Sequence, residues 1–258
     1  MTDGKDSNKL VLQVPLELGS SLPTGGAKEA VGRLGRRIVN DVYMPGEIIP
    51  TEAELAESLG VGRATVRDAI KVLSGKGLIR TARRYGTRVR PLEEWNLLDA
   101  DVIAWHDPTH ERVARMFAET TELRCIIEPA AAALASERAS PRQVEMILDA
   151  ANALQPGEGD VAAMFTADCR FHSTILEATG NLMMRQLQPT ILSVLRISYE
   201  FGVLVVDGAA VTREGHILVA EAIRDREPAR ARREMELMLE NNRKTAAEYW
   251  AGRRSGDG

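Results

Sequence analysis

Pro50 to Ile70 reads PTEAELAESLGVGRATVRDAI, and this stretch decides the fold of the N-terminal part of the chain. Thr51 opens a helix, and Glu54 three residues later completes a capping-box pattern, in which each residue satisfies a backbone N–H of the other. Leu55, Ala56 and Leu59 give this helix its apolar face, and Gly60 ends it where a left-handed residue is needed. A second helix follows at once, from about Gly62 to Ser74, with Val66, Ile70 and Leu73 turned inward. On its other face Arg63, Arg67 and Lys71 fall at i, i+4 and i+8.

Working outward, Val31, Leu34, Ile38 and Val42 predict a helix from about Ala27, stopped by Pro45-Gly46. Downstream, Leu78-Ile79 and Arg88-Val89 read as two short strands around Arg83-Arg84-Tyr85-Gly86-Thr87. Helix, helix, tight turn, helix and hairpin make a winged helix-turn-helix domain over residues 27–92. Residues 1–26 form a loose arm without sustained periodicity. Residues 61–90 hold nine basic residues against one acidic residue, Asp68, so the overall net charge of −4 conceals one basic patch. Such a patch calls for a polyanion. Arginine forks suit guanine edges or phosphate, Thr65 can meet a phosphate or a thymine methyl, and Lys71 is assigned to phosphate. The wing adds Arg83, Arg84 and Arg88 around Tyr85 and Gly86, where a glycine lets the backbone approach DNA.

The rest of the chain is rich in Ala, Leu, Glu, Arg and Met, all good helix formers. Helices are expected near 97–105, 111–138, 141–154, 160–179, 182–203, 210–225 and 228–249, broken by Pro108, Pro141, Pro156-Gly157, Gly180-Asn181, Asp207-Gly208 and Pro228. They form an all-α bundle over 97–250, joined to the head by a linker at 93–96 and followed by a tail at 251–258. The fold class is therefore mainly α. A chain of 258 residues with 44% hydrophobic and 27% charged residues is globular rather than disordered. No apolar run reaches the roughly 18 residues of a membrane span, and the N-terminus does not read as a signal peptide. Two cysteines, Cys125 and Cys169, give no disulfide framework and pack as small apolar residues, which suits a cytoplasmic, nucleoid-associated protein.

The residues 50–70, together with Leu78-Ile79 and Gly86-Thr87, resemble the reading head of the GntR family of bacterial repressors, whose usual pattern is P-S-E-x-x-L-A and then V-S-R-x-x-V-R-x-A-L. The resemblance implies operator contacts by Arg63, Thr65, Arg67 and Gly86. Ala53 stands where the family often carries arginine beside the glutamate, so a contact made there by relatives is not carried over.

In the helical part, Asp168 and His172 stand four apart on one predicted helix, and His216 lies on a later one. A carboxylate and two imidazoles suit a divalent metal, and the same spacing also fits a solvated Asp–His pair beside an unrelated histidine. Arg124, in mid-helix among apolar residues, must pair either with an acidic ligand or with Glu128 one turn on. Arg196 is a second candidate for a ligand carboxylate. The segments Glu122-Leu123-Arg124, Glu128-Pro129-Ala130-Ala131 and Asp168-Cys169-Arg170-Phe171-His172 are similar to the FCD effector domain of the FadR-type subfamily. That resemblance implies a zinc or nickel ion held by Asp168, His172 and His216. A further histidine is expected near position 238, where this chain has Met238; Asn241, one turn on, is a substitute through its carbonyl. Trp95 and Trp105 flank a linker helix and are expected to pack it onto the bundle.

The stretch Trp95 to Trp105 also resembles the linker of repressors that sense D-galactonate and related sugar acids. The resulting expectation is a repressor of a catabolic operon. It would bind a pseudo-palindromic double-stranded operator as a homodimer and answer to a small carboxylate such as galactonate, or to a different organic acid. A metal-dependent enzyme built on Asp168, His172 and His216 is the alternative, but neither zincin spacing nor a nucleophile elbow is present.

Overall fold

The computed structural model describes residues 26–82, 84–107, 110–154, 161–200 and 213–254. The arm expected over 1–26 and wing Arg83 therefore lie, but for Gly26, outside the described residues. By its contacts the chain divides into two compact units, the first ending at Ala114 and the second beginning at Arg115.

The first unit opens with α1 (Gly26–Val39), followed by α2 (Glu52–Leu59) and α3 (Arg63–Gly75). Strands β1 (Ile79–Ala82) and β2 (Gly86–Val89) pair antiparallel, with Ile79 opposite Val89 and Ala82 opposite Gly86. The Thr51–Glu54 capping box forms in both directions, and Gly60 closes α2 in the left-handed region at φ 67°. Val31, Leu34 and Ile38 of α1 meet Leu55, Val66, Ile70 and Leu73 in one core, closed by Ile79 and Val89 of the hairpin. Helix α1 is shorter than its apolar spacing predicts. It stops at Val39, and Asp41 takes a left-handed φ of 58°, which carries Val42 out to 61% exposure. Val39, not Val42, fills the last core position.

A second difference concerns the tryptophans. The helix expected over 97–105 forms as α4 (Ala100–Trp105), started by the Asp99 side chain, which accepts from the N–H groups of Asp101 and Val102. Trp95 and Trp105 are both buried in the core of the first unit with α1 and α3, rather than on the helical bundle. Gly35 of α1 makes room: a Cβ there would lie 2.4 Å from the Trp105 ring. Periodicity shows that a ring is apolar but not which neighbour receives it.

The second unit carries α5 (Glu111–Arg138, whose first turn precedes the division), α6 (Pro141–Ala153), α7 (Val161–Ala178), α8 (Leu182–Arg185), α9 (Gln188–Glu200), α10 (Arg213–Arg224) and α11 (Pro228–Arg254). Ser140 and Gln143 form a capping box at the start of α6, with Pro141 in its first turn. The single helix expected over 182–203 is two, α8 and α9, because Pro189 has no N–H to continue the ladder and sits instead in the first turn of α9. Alanines 131, 132, 135, 150, 151, 220, 222 and 231 let the helices approach closely around Phe165 and Phe171. Among the described residues, no helix is long and apolar enough to cross a membrane.

The packing of Trp105 on Gly35 sets a direction for mutation. In an open helix Gly35→Ala would stabilise, but against this ring it should destabilise the head by roughly 1–3 kcal/mol. Thermal melting of the variant reads the sign, and a rise in melting temperature would mean that the ring does not pack there.

Candidate functional site

The outer face of α3 is the first site. Arg63, Arg67 and Lys71 are exposed, Thr65 is half-buried, and Val66, Ile70 and Leu73 are buried on the opposite face. The tight turn at Gly60-Val61-Gly62 and the apolar anchoring of α3 leave this basic stripe on the surface. The structure adds a partner that the stripe alone does not reveal. Glu52, at the start of α2, holds Arg67 at 2.9 Å from its Nη2, which lowers the Glu52 pKa through that hydrogen bond and raises that of Arg67. Lys71 leans on Asp68 at 3.0 Å. In the wing, Tyr85 is 76% exposed, and Arg84 and Gly86 both take positive φ, at 71° and 79°. Arg84 is exposed, whereas Arg88, though exposed, donates to the Gly46 carbonyl and is tied to its own domain.

The end of α3 is tethered as well. Lys76 is buried, 2.7 Å from carboxylate oxygens of both Asp99 and Asp101, with its ammonium 5.7 Å from the centre of a Trp105 ring. Burial alone would lower its pKa, but the carboxylates of Asp101 and Asp99 outweigh it and raise it. The recognition helix is thus fastened at its C-terminus to the first turn of α4.

The second site lies inside the helical unit. Asp168 and His172 share a face of α7, α10 supplies His216, and all three are buried. Asp168 Oδ1 stands 3.2 Å from His172 Nε2 and 3.1 Å from His216 Nε2, and the donor atoms of the three lie within 4.8 Å of one another. Ligand atoms about 2.0–2.2 Å from a zinc ion are separated by little more than this, so the set fits a divalent metal with positions left open. Met238 is buried in α11, and Asn241 is exposed, which does not bring it to three buried donors.

Arg124 resolves toward its helical neighbour. Its Nε donates to Glu128 Oε1 at 2.5 Å, and its Nη2 lies 3.3 Å from His172 Nε2. Glu128 in turn places Oε2 2.5 Å from His172 Nδ1, so one carboxylate faces both the guanidinium and the imidazole. Nothing local in the sequence points to that second contact, since α7 meets α5 only in the fold. Pro129 follows directly inside α5 and withdraws the N–H that would bond the Cys125 carbonyl. Burial would raise the Glu128 carboxyl, but the charges of Arg124 and His172 hold it at about 2. Burial likewise opposes the Asp168 charge, which hydrogen bonds from His172 and His216 hold well below the usual range. For His172, burial acts to lower the pKa, yet Glu128 and Asp168 raise it to about 9. Arg196, on α9, is half-buried. Tyr199 on the same helix, 4% exposed, has a hydroxyl without a hydrogen-bond partner. Cys169 is buried and Cys125 half-buried.

Comparison with known proteins fits this two-part plan. Residues 27–89 match the model of the bacterial regulatory proteins of the gntR family, and residues 119–241 match the FCD domain. The chain is 35% identical over 172 residues to the galactonate operon transcriptional repressor of Escherichia coli (strain K12), covering 65% of this chain and 72% of that one. It is 26% identical over 200 residues to the transcriptional repressor NanR of Cronobacter sakazakii (strain ATCC BAA-894), 76% of each. In fold it is similar to the solved structure of Lar, which controls expression of the Listeria monocytogenes agr system, with a TM-score of 0.61 at 18% identity over 88% of this chain and 98% of that one.

Two outcomes follow from these geometries. Arg63→Ala and Arg67→Ala should each weaken operator binding by roughly 1–3 kcal/mol and relax specificity, whereas Lys71→Ala should weaken all sequences alike and flatten the salt dependence. Fluorescence anisotropy on specific and scrambled duplexes separates the two patterns. In the buried site, a His172 pKa near 9 means that the imidazole is protonated at neutral pH. Zinc needs its lone pair, so zinc binding at pH 7 should release about one proton, and apparent affinity should climb up to about tenfold per pH unit until pH 9. Glu128→Gln removes the charge that raises this pKa and should flatten the climb. Calorimetry in two buffers of different ionisation enthalpy counts the proton.

Proposed function

Because the chain belongs to the GntR family of bacterial transcriptional regulators, with an FCD domain after its reading head, we propose that it is a metabolite-responsive repressor of a catabolic operon whose effector is a small hydroxy-acid such as galactonate. Its relatives are regulators rather than enzymes, so the buried acid–histidine set is read as a sensor and not as a catalytic centre. One observation carries the reading. A solvent-facing basic helix and a fully buried constellation of Asp168, His172, His216, Arg124 and Glu128 sit in separate units of one chain.

Residues 27–92 form the DNA reader in this proposal, with Arg63, Thr65, Arg67, Lys71, Arg84, Tyr85 and Gly86 on the operator. The Glu52–Arg67 pair supports it by holding the arginine fork ready before DNA arrives. A single winged helix reaches only a short half-site, so two copies of the chain are needed on a pseudo-palindrome. Residues from 97 to 250 supply the effector and dimer functions.

Asp168, His172 and His216 would hold the ion, zinc in preference to nickel, and the ion would supply a Lewis-acid anchor for a carboxylate and an adjacent hydroxyl. Arg124 uses Nε and Nη2 in the contacts with Glu128 and His172. A guanidinium carries five donors, so its remaining edge can meet a ligand carboxylate without breaking the Glu128 pair. Arg196 is the second cation for that carboxylate. The buried link from Lys76 to Asp99 and Asp101 supports Trp95–Trp105 as the lever through which the signal reaches α3. An effector moves that lever only if it prefers one of two arrangements of the dimer.

Gel shifts on the DNA beside the gene, at 50–200 mM salt, test the reading. The expected result is a sequence-specific complex carrying two 28.3 kDa chains, released by galactonate or a related acid. His172→Ala should abolish that release and leave ligand-free operator binding nearly intact. A normal response from this variant in metal-stripped buffer would make the constellation structural.

A further inference from the structure

We propose that Tyr199 is a ligand-binding residue of the buried site, its phenolic O–H the donor to an oxygen of the small acid that the sensor takes. The assignment rests on the effector reading above and adds a residue to it.

Tyr199 lies in the last turn of α9, which packs against α7, the helix that carries Asp168 and His172. The residue is 4% exposed, and its ring meets Phe165 of α7 edge to face at 5.2 Å between centroids. Its hydroxyl is enclosed with no hydrogen-bond partner. The buried hydroxyls of Thr121, Ser136, Thr179 and Ser193 all solve this problem locally, by donating to a carbonyl three or four residues back in their own helix. A tyrosine cannot do so, because the ring carries its oxygen away from its own backbone. Burying a hydroxyl without an acceptor costs stability, and a phenylalanine would fill the same volume without that cost. The hydroxyl therefore waits for an acceptor that arrives from outside the chain.

The surroundings say what kind of acceptor. The hydroxyl feels the charges of Asp168 and Arg124, and together with burial the Asp168 charge keeps the phenol protonated and a donor. Asp168 comes close without offering an aligned acceptor, since its oxygens are engaged by His172 and His216. A donor beside a metal-binding set and a guanidinium suits an anion that carries further oxygens, a hydroxy-acid above all, and is wasted on an apolar chain. Discrimination gained in this way is large, because a site built to bond an oxygen rejects the analogue lacking it.

The test compares the zinc-loaded wild-type chain with Tyr199→Phe by calorimetry, using D-galactonate, D-gluconate and propionate, and follows melting without ligand. The expected result is that the wild type binds a sugar acid and the variant binds it about tenfold more weakly or worse. Zinc affinity should be equal in the two, and the ligand-free variant should melt no lower. Equal sugar-acid affinity in both proteins would overturn the Tyr199 assignment and leave the effector reading standing; an ordered water on the phenol gives that outcome. A lower ligand-free melting temperature in the variant would show an internal bond and also overturn it. If the wild type binds none of the three acids while still taking zinc, the effector reading fails and the Tyr199 assignment falls with it.

Discussion

A carboxylate taken out of water must be met by protons or cations, and Asp168 imposes that constraint on the helical unit. It is 2% exposed, as are His172 and His216, and Glu128 and Arg124 complete the set at 2% and 4%. Breaking such a buried pair by removing one partner costs about 3–5 kcal/mol, because the other charge is left without compensation. Helices α5, α7 and α10 are therefore tied to one another in register through side chains, not only through the apolar packing around Phe165 and Phe171. Apolar residues of similar volume would serve stability as well or better. Retaining five ionisable groups in a bundle core is intelligible if the core has a ligand to receive.

The same economy of charge appears in the reading head with the opposite exposure. Arg67 and Glu52 are both open to water, so their pair contributes little to stability. Its effect is on orientation: a guanidinium fork held by a carboxylate has fewer conformations to lose when it meets a base edge or phosphate. Lys76 is the buried counterpart, enclosed between Asp99 and Asp101 beneath Trp105. It locks the far end of the recognition helix to the segment that leads out of the head, so a displacement of α4 cannot leave α3 untouched.

The local features were legible in the residues because their causes are local. The capping box at Thr51–Glu54, the left-handed Gly60, the apolar face of α3 and the hairpin around Tyr85-Gly86 depend on neighbours within a few positions. The convergence of Asp168 with His172 follows from one helical turn, and family likeness brought His216 to them. Misreadings came where a local signal was overruled. Val42 continued an apolar period that Asp41 had already broken, and Pro189 split a helix that composition read as continuous.

What the sequence by itself determined is therefore the order and identity of the elements, the basic face of α3 and the residues able to bind a metal. Those rest on i, i+3 and i+4 spacings and on backbone preferences, which a chain carries wherever it is placed. Only the tertiary structure decided which side chains share a partner. It set Trp95 and Trp105 in the core of the head, turned Glu128 toward both Arg124 and His172, buried Lys76 against two aspartates and left the Tyr199 hydroxyl without an acceptor. Each of these depends on a contact between separate elements, and a buried polar group takes its meaning from whatever faces it across that gap.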